Sequence, residues 1–195
     1  SDSELIEPGN MCRSQFSFNA TGYYKVMEMY HTGFRLSPFV DITITENVKP
    51  IIKDNPYYDN EKQKLNQFDF IFDCTTNKFL SIMLDRMELR GQVINLSITN
   101  GAQHMTVVTG RGNIHTAKST LYNKIAPKQQ ERFFVATGCW HPTFQASYSD
   151  IGVLLHYCLN EINLRLSKGL DVSSFLIERI LNESNSLGYE ISYSV

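Results

Sequence analysis

No apolar run in this chain approaches the ~20 residues that a bilayer-spanning helix needs, so no membrane partner is expected. Runs of basic charge are missing too. Lys and Arg number 18 against 20 Asp and Glu, a net charge of −2, and there is no arginine-rich arm. Such a balance offers a polyanion little to hold, and nucleic acid is not an expected partner. The opening residues, Ser1-Asp2-Ser3-Glu4, carry neither the basic region nor the apolar core of a signal peptide, which makes the cytoplasm the expected compartment. Cysteine is sparse: Cys12, Cys74, Cys139 and Cys158 show no CxxC or Cys/His metal spacing and read as reduced thiols. With nothing pointing to secretion, the sequons at Asn19, Asn95 and Asn182 read as chance.

What the chain does have is a globular balance, 42% apolar and 19% charged, over 195 residues. That is one ordinary domain, or a domain with a small appendage, with enough chain to bury a core. Helix-like and strand-like segments alternate. Residues 20–36 place Tyr24, Met27, Tyr30, His31 and Phe34 at helical spacing, closed by Ser37-Pro38. Residues 39–45 alternate like a strand, and 47–66 read as loop with a short helical crossing. A strand is expected from Phe68 to Phe72 and a helix over 78–89. Strands at 92–98 and 104–109 flank the turn signal Asn100-Gly101 and should pair antiparallel. Residues 110–143 interrupt the pattern with glycine and proline, leaving room for a short helix near 115–125. The spacing predicts an amphipathic helix over 148–167, a further helix over 171–183 and a short alternating segment from Tyr189 to Tyr193. The fold class is α/β, with a mainly parallel sheet and antiparallel additions.

Ligands of open parallel sheets sit at the carboxyl ends of the strands. Phe68-Asp69-Phe70-Ile71-Phe72-Asp73 runs into Cys74-Thr75-Thr76-Asn77, so Asp73 should stand at a strand tip. Two readings of Asp73 are open: it faces a ligand, or it caps the helix near Lys78 or closes an Asx turn with the Thr-Thr-Asn run. Arg13 and Lys25 are solvated charges, or else a guanidinium and an ammonium that converge on phosphates. Lys25 lies near a helix start, where anions are favoured.

The ordered set Asp2-x-Glu4, Asn10-x-x-Arg13, Gly22-x-x-Lys25, Ser37-Pro38 and Asp73-Cys74-Thr75-Thr76-Asn77 resembles the adenylating domain of the ThiF/MoeB and ubiquitin-activating enzyme superfamily over residues 2–77. That family has an acid pair after its second strand, Asn-Leu-x-Arg-Gln, Gly-x-x-Lys and Asp-Cys-Thr-Asp-Asn. The resemblance implies a single Rossmann-like domain over 1–195, with a crossover loop at 110–143 and terminal helices and strand at 148–195. It also implies ATP and Mg²⁺, with Asp2 on the ribose, Asn10 and Arg13 on the phosphates and Lys25 at the α-phosphate. The reaction it implies adenylates the carboxyl terminus of a ubiquitin-like or sulfur-carrier-like protein, in a homo- or heterodimer of such domains.

Three departures bear on this. The family's Gly-x-Gly-x-x-Gly strand–turn–helix has no counterpart here, so that unit is expected upstream or on a partner chain. Ser14 replaces the glutamine after the arginine, and Thr76 replaces the second acid, which leaves Asp73 as the candidate metal ligand. Many members of the superfamily pass the activated modifier to a loop cysteine. Here Gly138-Cys139-Trp140-His141-Pro142-Thr143 offers Cys139, with His141 two residues on to lower its pKa or shuttle a proton. The alternative for Cys139 is packing at the base of the loop. The rival to an active enzyme is a non-catalytic partner that organises an active adenylating subunit. Gly110-Arg111-Gly112 reads as a turn.

Overall fold

The structure is a computed structural model describing residues 4–10, 14–37, 39–75, 77–125, 146–181 and 187–193. The chain packs as two compact units, Ser1–Lys49 with Glu131–Ser149, and Pro50–Gln130 with Asp150–Val195.

In the first unit, the segment after Glu4 pairs antiparallel with the residues that enter the first helix, through a bridge between Leu5 and Tyr24. The Ile6 amide donates to the Tyr23 carbonyl at 2.8 Å, and the Gly22 amide to the Ile6 carbonyl at 2.9 Å. Short 3₁₀ turns span Pro8–Asn10 and Phe18–Ala20. Helix α1, Lys25–Leu36, starts five residues later than the spacing predicts. Its Tyr30 ring packs on His31 and Phe34, at centroid distances of 5.6 and 5.5 Å. No strand forms at 39–45. Alternation supplies the pattern of a strand but not a neighbour to bond with. Ile42 instead lays its Cδ1 where a side chain at Gly33 would project, 2.5 Å from an ideal Cβ, and Phe39 is 96% exposed.

The second unit is built on one mixed sheet, with five strands among the described residues in the spatial order β1-β2-β3-β4-β5. These are β1 Phe70–Asp73, β2 Gln92–Thr99, β3 His104–Gly110, β4 Phe175–Leu181 and β5 Leu187–Tyr193. Helices α2 (Tyr58–Leu65), α3 (Lys78–Arg86), α4 (Ile114–Asn123) and α5 (Tyr148–Ser167) complete the element list. This is the α/β class, but parallel character is confined to β1 and β2, where Asp73 aligns with Asn95. The pairings of β2 with β3, β3 with β4 and β4 with β5 are antiparallel. Loop length explains the contrast between the β1–β2 and β2–β3 pairings. Parallel neighbours need a crossover, which α3 supplies between β1 and β2. The residues between Thr99 and His104 make only a tight turn, with Asn100 and Gly101 at φ 50° and 62°.

Residues 171–183, expected as helix, contain strand β4. Phe175, Leu176 and Ile177 are buried in succession, as a strand covered on both faces requires and an amphipathic helix does not allow. The central strand β3 is buried from His104 through Thr109. The core gathers Ile94, Val107, Val108, Phe175 and Ile177, while α5 buries Leu154, Cys158 and Ile162 at four-residue intervals. At the sheet margin β1 has one partner strand among the described residues, and Phe70 and Phe72 are exposed. No helix among the described residues is long and apolar enough to cross a membrane.

Candidate functional site

Asp2, Arg13, Thr76 and Cys139 lie outside the described residues, as do Cys12, His141 and Pro142. Asn10 and Lys25 belong to the first unit and Asp73 to the second.

Asn10 is buried and turned inward on its own loop. Its Oδ1 accepts from the Glu7 amide at 2.8 Å, and its carbonyl accepts from Ser14 Oγ at 2.7 Å. Lys25 is the first residue of α1, where uncompensated helix amides favour an anion. The anion already there is Glu4. Its carboxylate takes the Lys25 ammonium, and its carbonyl accepts from the Lys25 amide at 2.9 Å. The second acid of the Asp2-x-Glu4 pair thus neutralises the lysine of the Gly22-x-x-Lys25 segment. A phosphate reaching Lys25 has to displace a carboxylate.

Asp73 ends β1, as its position after an apolar run predicts, but it is only 3% exposed. Its Oδ1 accepts from the Thr75 amide at 3.0 Å and from Thr75 Oγ1 at 2.7 Å. Its Oδ2 accepts from Ser81 Oγ at 3.2 Å and from Asn95 Nδ2 at 2.8 Å. A carboxylate has about four lone-pair positions, and four donors occupy them. A metal ion placed there must evict one of these donors, so Asp73 as it stands does not fit a magnesium ligand. No group of three or more His, Cys, Asp or Glu able to hold a metal occurs among the described residues. The Asx turn weighed for Asp73 is present. The cap of α3 is Asn77, whose Oδ1 accepts from the Phe79 and Leu80 amides at 3.0 and 3.2 Å.

Two residues that tie elements of this unit together carry little signal in the sequence. Asn95 stands out only as a sequon, yet it is 0% exposed and its amide also reaches the Asp73 carbonyl at 3.1 Å. Its place as a polar residue inside the apolar run of β2 is the only further mark it carries. Asp85 caps α4 from outside that helix, its two oxygens accepting from the Ile114 and His115 amides at 2.6 and 2.7 Å. Of the remaining thiols, Cys74 is exposed and Cys158 is buried. Burial, reinforced by Cys74, pushes the Cys158 thiol up to about 12, which leaves it protonated and inert as a nucleophile.

No family model matches the chain. Over 157 residues, 77% of this chain and 25% of the relative, it is 24% identical to the ATP-dependent ubiquitin transferase-like protein Cap2 of Enterobacter hormaechei subsp. hoffmannii (strain UCI 50). The relation is distant. The chain spans about a quarter of that relative's length. It agrees with the resemblance to ubiquitin-activating enzymes carried by residues 2–77.

Proposed function

We propose that this chain is part of a Rossmann-like fold that adenylates the carboxyl terminus of a ubiquitin-like or sulfur-carrier-like protein with ATP. The observation that carries this reading is the relation to a bacterial ubiquitin transferase-like protein. The order of Asn10, Arg13, Lys25 and Asp73 along the chain supports it. In the reaction a modifier carboxylate oxygen attacks the α-phosphorus of ATP and pyrophosphate leaves, giving an acyl-adenylate. Lys25, released from Glu4, and Arg13 stabilise the negative charge that grows on the phosphates. The Cys139 thiolate then attacks the acyl carbon and AMP leaves, with His141 accepting the thiol proton. We assign Asp73 to holding the loop after β1, because its acceptor positions are filled.

Isotope exchange between pyrophosphate and ATP, run on the protein that contains this chain with candidate modifiers, tests the reading. Lys25→Ala should lower exchange about a hundredfold. Cys139→Ala should keep the exchange and lose the thioester. Absence of exchange with every modifier, from protein with an intact circular dichroism spectrum, overturns it.

The pairing of Lys25 with Glu4 favours one other reading, a non-catalytic partner that organises an active adenylating subunit in a dimer. In that case Arg13→Ala lowers the activity of the partner subunit, while Lys25→Ala leaves it unchanged.

A further inference from the structure

The second unit has a cleft of about 570 Å³ at the end of the sheet opposite Asp73, where β1 and β2 begin and β3 ends. Arg90 reaches it from the connection between α3 and β2, and Arg111 from the turn after β3. The sequence presents Arg111 only as the middle of a Gly-x-Gly turn. Asp69 and Asp171 line the same cleft, and Phe68 and Phe70 form an apolar wall that is 52% and 39% exposed. None of these four charges forms an ion pair among the described residues.

The cleft is built rather than incidental. The Arg90 amide donates to Asn66 Oδ1 at 2.8 Å, and the Gln92 amide to the Asp69 carbonyl at 2.8 Å. Between them, Gly91 lies so close to the preceding chain that a Cβ would stand 2.2 Å from the Phe68 carbonyl oxygen. Only glycine permits that approach. Gln92 Nε2 donates to the Val172 carbonyl at 2.7 Å, tying the next residue after Asp171 to β2.

We propose that this cleft binds a peptide segment bearing both an acidic and a basic side chain. Two guanidiniums from separate elements suit a carboxylate, to which each can give paired N–H donors. Two carboxylates lining the same cleft repel a phosphate chain and accept an ammonium or backbone amides. The exposed phenylalanines take the aliphatic stems, and the volume is that of a small-ligand or side-chain pocket. The site is separate from the adenylation reading and does not depend on it.

The test is an amide chemical-shift titration of the intact chain with the capped peptide acetyl-Ala-Glu-Ala-Lys-Ala-amide. Saturable shifts should centre on Gly91, Gln92 and Arg111 and weaken with added salt. Arg90→Ala with Arg111→Ala should reduce affinity about tenfold with the remaining spectrum unchanged. Asp69→Asn with Asp171→Asn should weaken this peptide but not the version whose lysine is alanine. Three results each overturn the proposal: no saturable shift at these amides up to the solubility of the peptide, equal binding by the double arginine variant, or equal shifts from inorganic phosphate.

Discussion

Asp73 and Asn95 show how a side chain's neighbours decide its role. An aspartate at a strand tip reads from sequence as a group facing a ligand, and the sequence does place it at the end of β1. What it cannot display is that Thr75, Ser81 and Asn95 all aim donors at the same carboxylate. Those donors come from the following turn, the next helix and the neighbouring strand, and only tertiary pairing brings Asn95 into register with Asp73. Truncating Asn95 to alanine removes a charge-assisted hydrogen bond inside the protein and should cost about 2–3 kcal/mol, read as a lower urea midpoint. Asp73→Asn presents an amide to donors that need an acceptor and should destabilise by a similar amount. If Asp73 served a ligand instead, that variant would leave the urea midpoint in place.

At the level of elements, the helices were the most legible part of the chain. The stripe Leu154, Cys158 and Ile162 predicts α5 with its observed bounds, and Asn100-Gly101 predicts the β2–β3 hairpin. Failures arose where one local pattern serves two structures. Phe175-Leu176-Ile177 suits a buried helix or a buried strand, and pairing with β3 on one side and β5 on the other decides for the strand. Residues 39–45 alternate correctly but find no ladder. Capping across elements is equally invisible in sequence, because Asp85 belongs to α3 and serves α4. Asn113, the residue at the cap position itself, makes no side-chain bond to the helix. Asp85→Ala should therefore destabilise by about 1–2 kcal/mol and speed amide exchange most at Ile114 and His115. Uniformly faster exchange across the unit would show that Asp85 does more than cap.

For the whole molecule, the buried thiol on α5 sets a dependence on alkaline pH. The Cys158 thiol titrates at about 12 in the folded chain because it is buried, whereas an unfolded thiol ionises near 8.5. The folded state thus holds a proton that the unfolded state releases as pH rises through that window. The stability from Cys158 is complete below about pH 8.5 and falls by up to about 1.4 kcal/mol per pH unit as pH climbs toward 12. Urea unfolding at pH 8, 9 and 10 should show this decline, and Cys158→Ala should flatten it while lowering stability at every pH. A parallel decline in the variant would place the titrating group elsewhere. A different consequence follows from the burial of Asn95, which begins the sequon Asn95-Leu96-Ser97. That sequon is hidden only after β2 is sealed between β1 and β3. Made in a eukaryotic secretory pathway, the nascent chain would meet the glycosylation machinery first. A sugar on Asn95 has no room beside Asp73, so such a host should yield glycosylated, unfolded material where a bacterial cytosol yields folded protein.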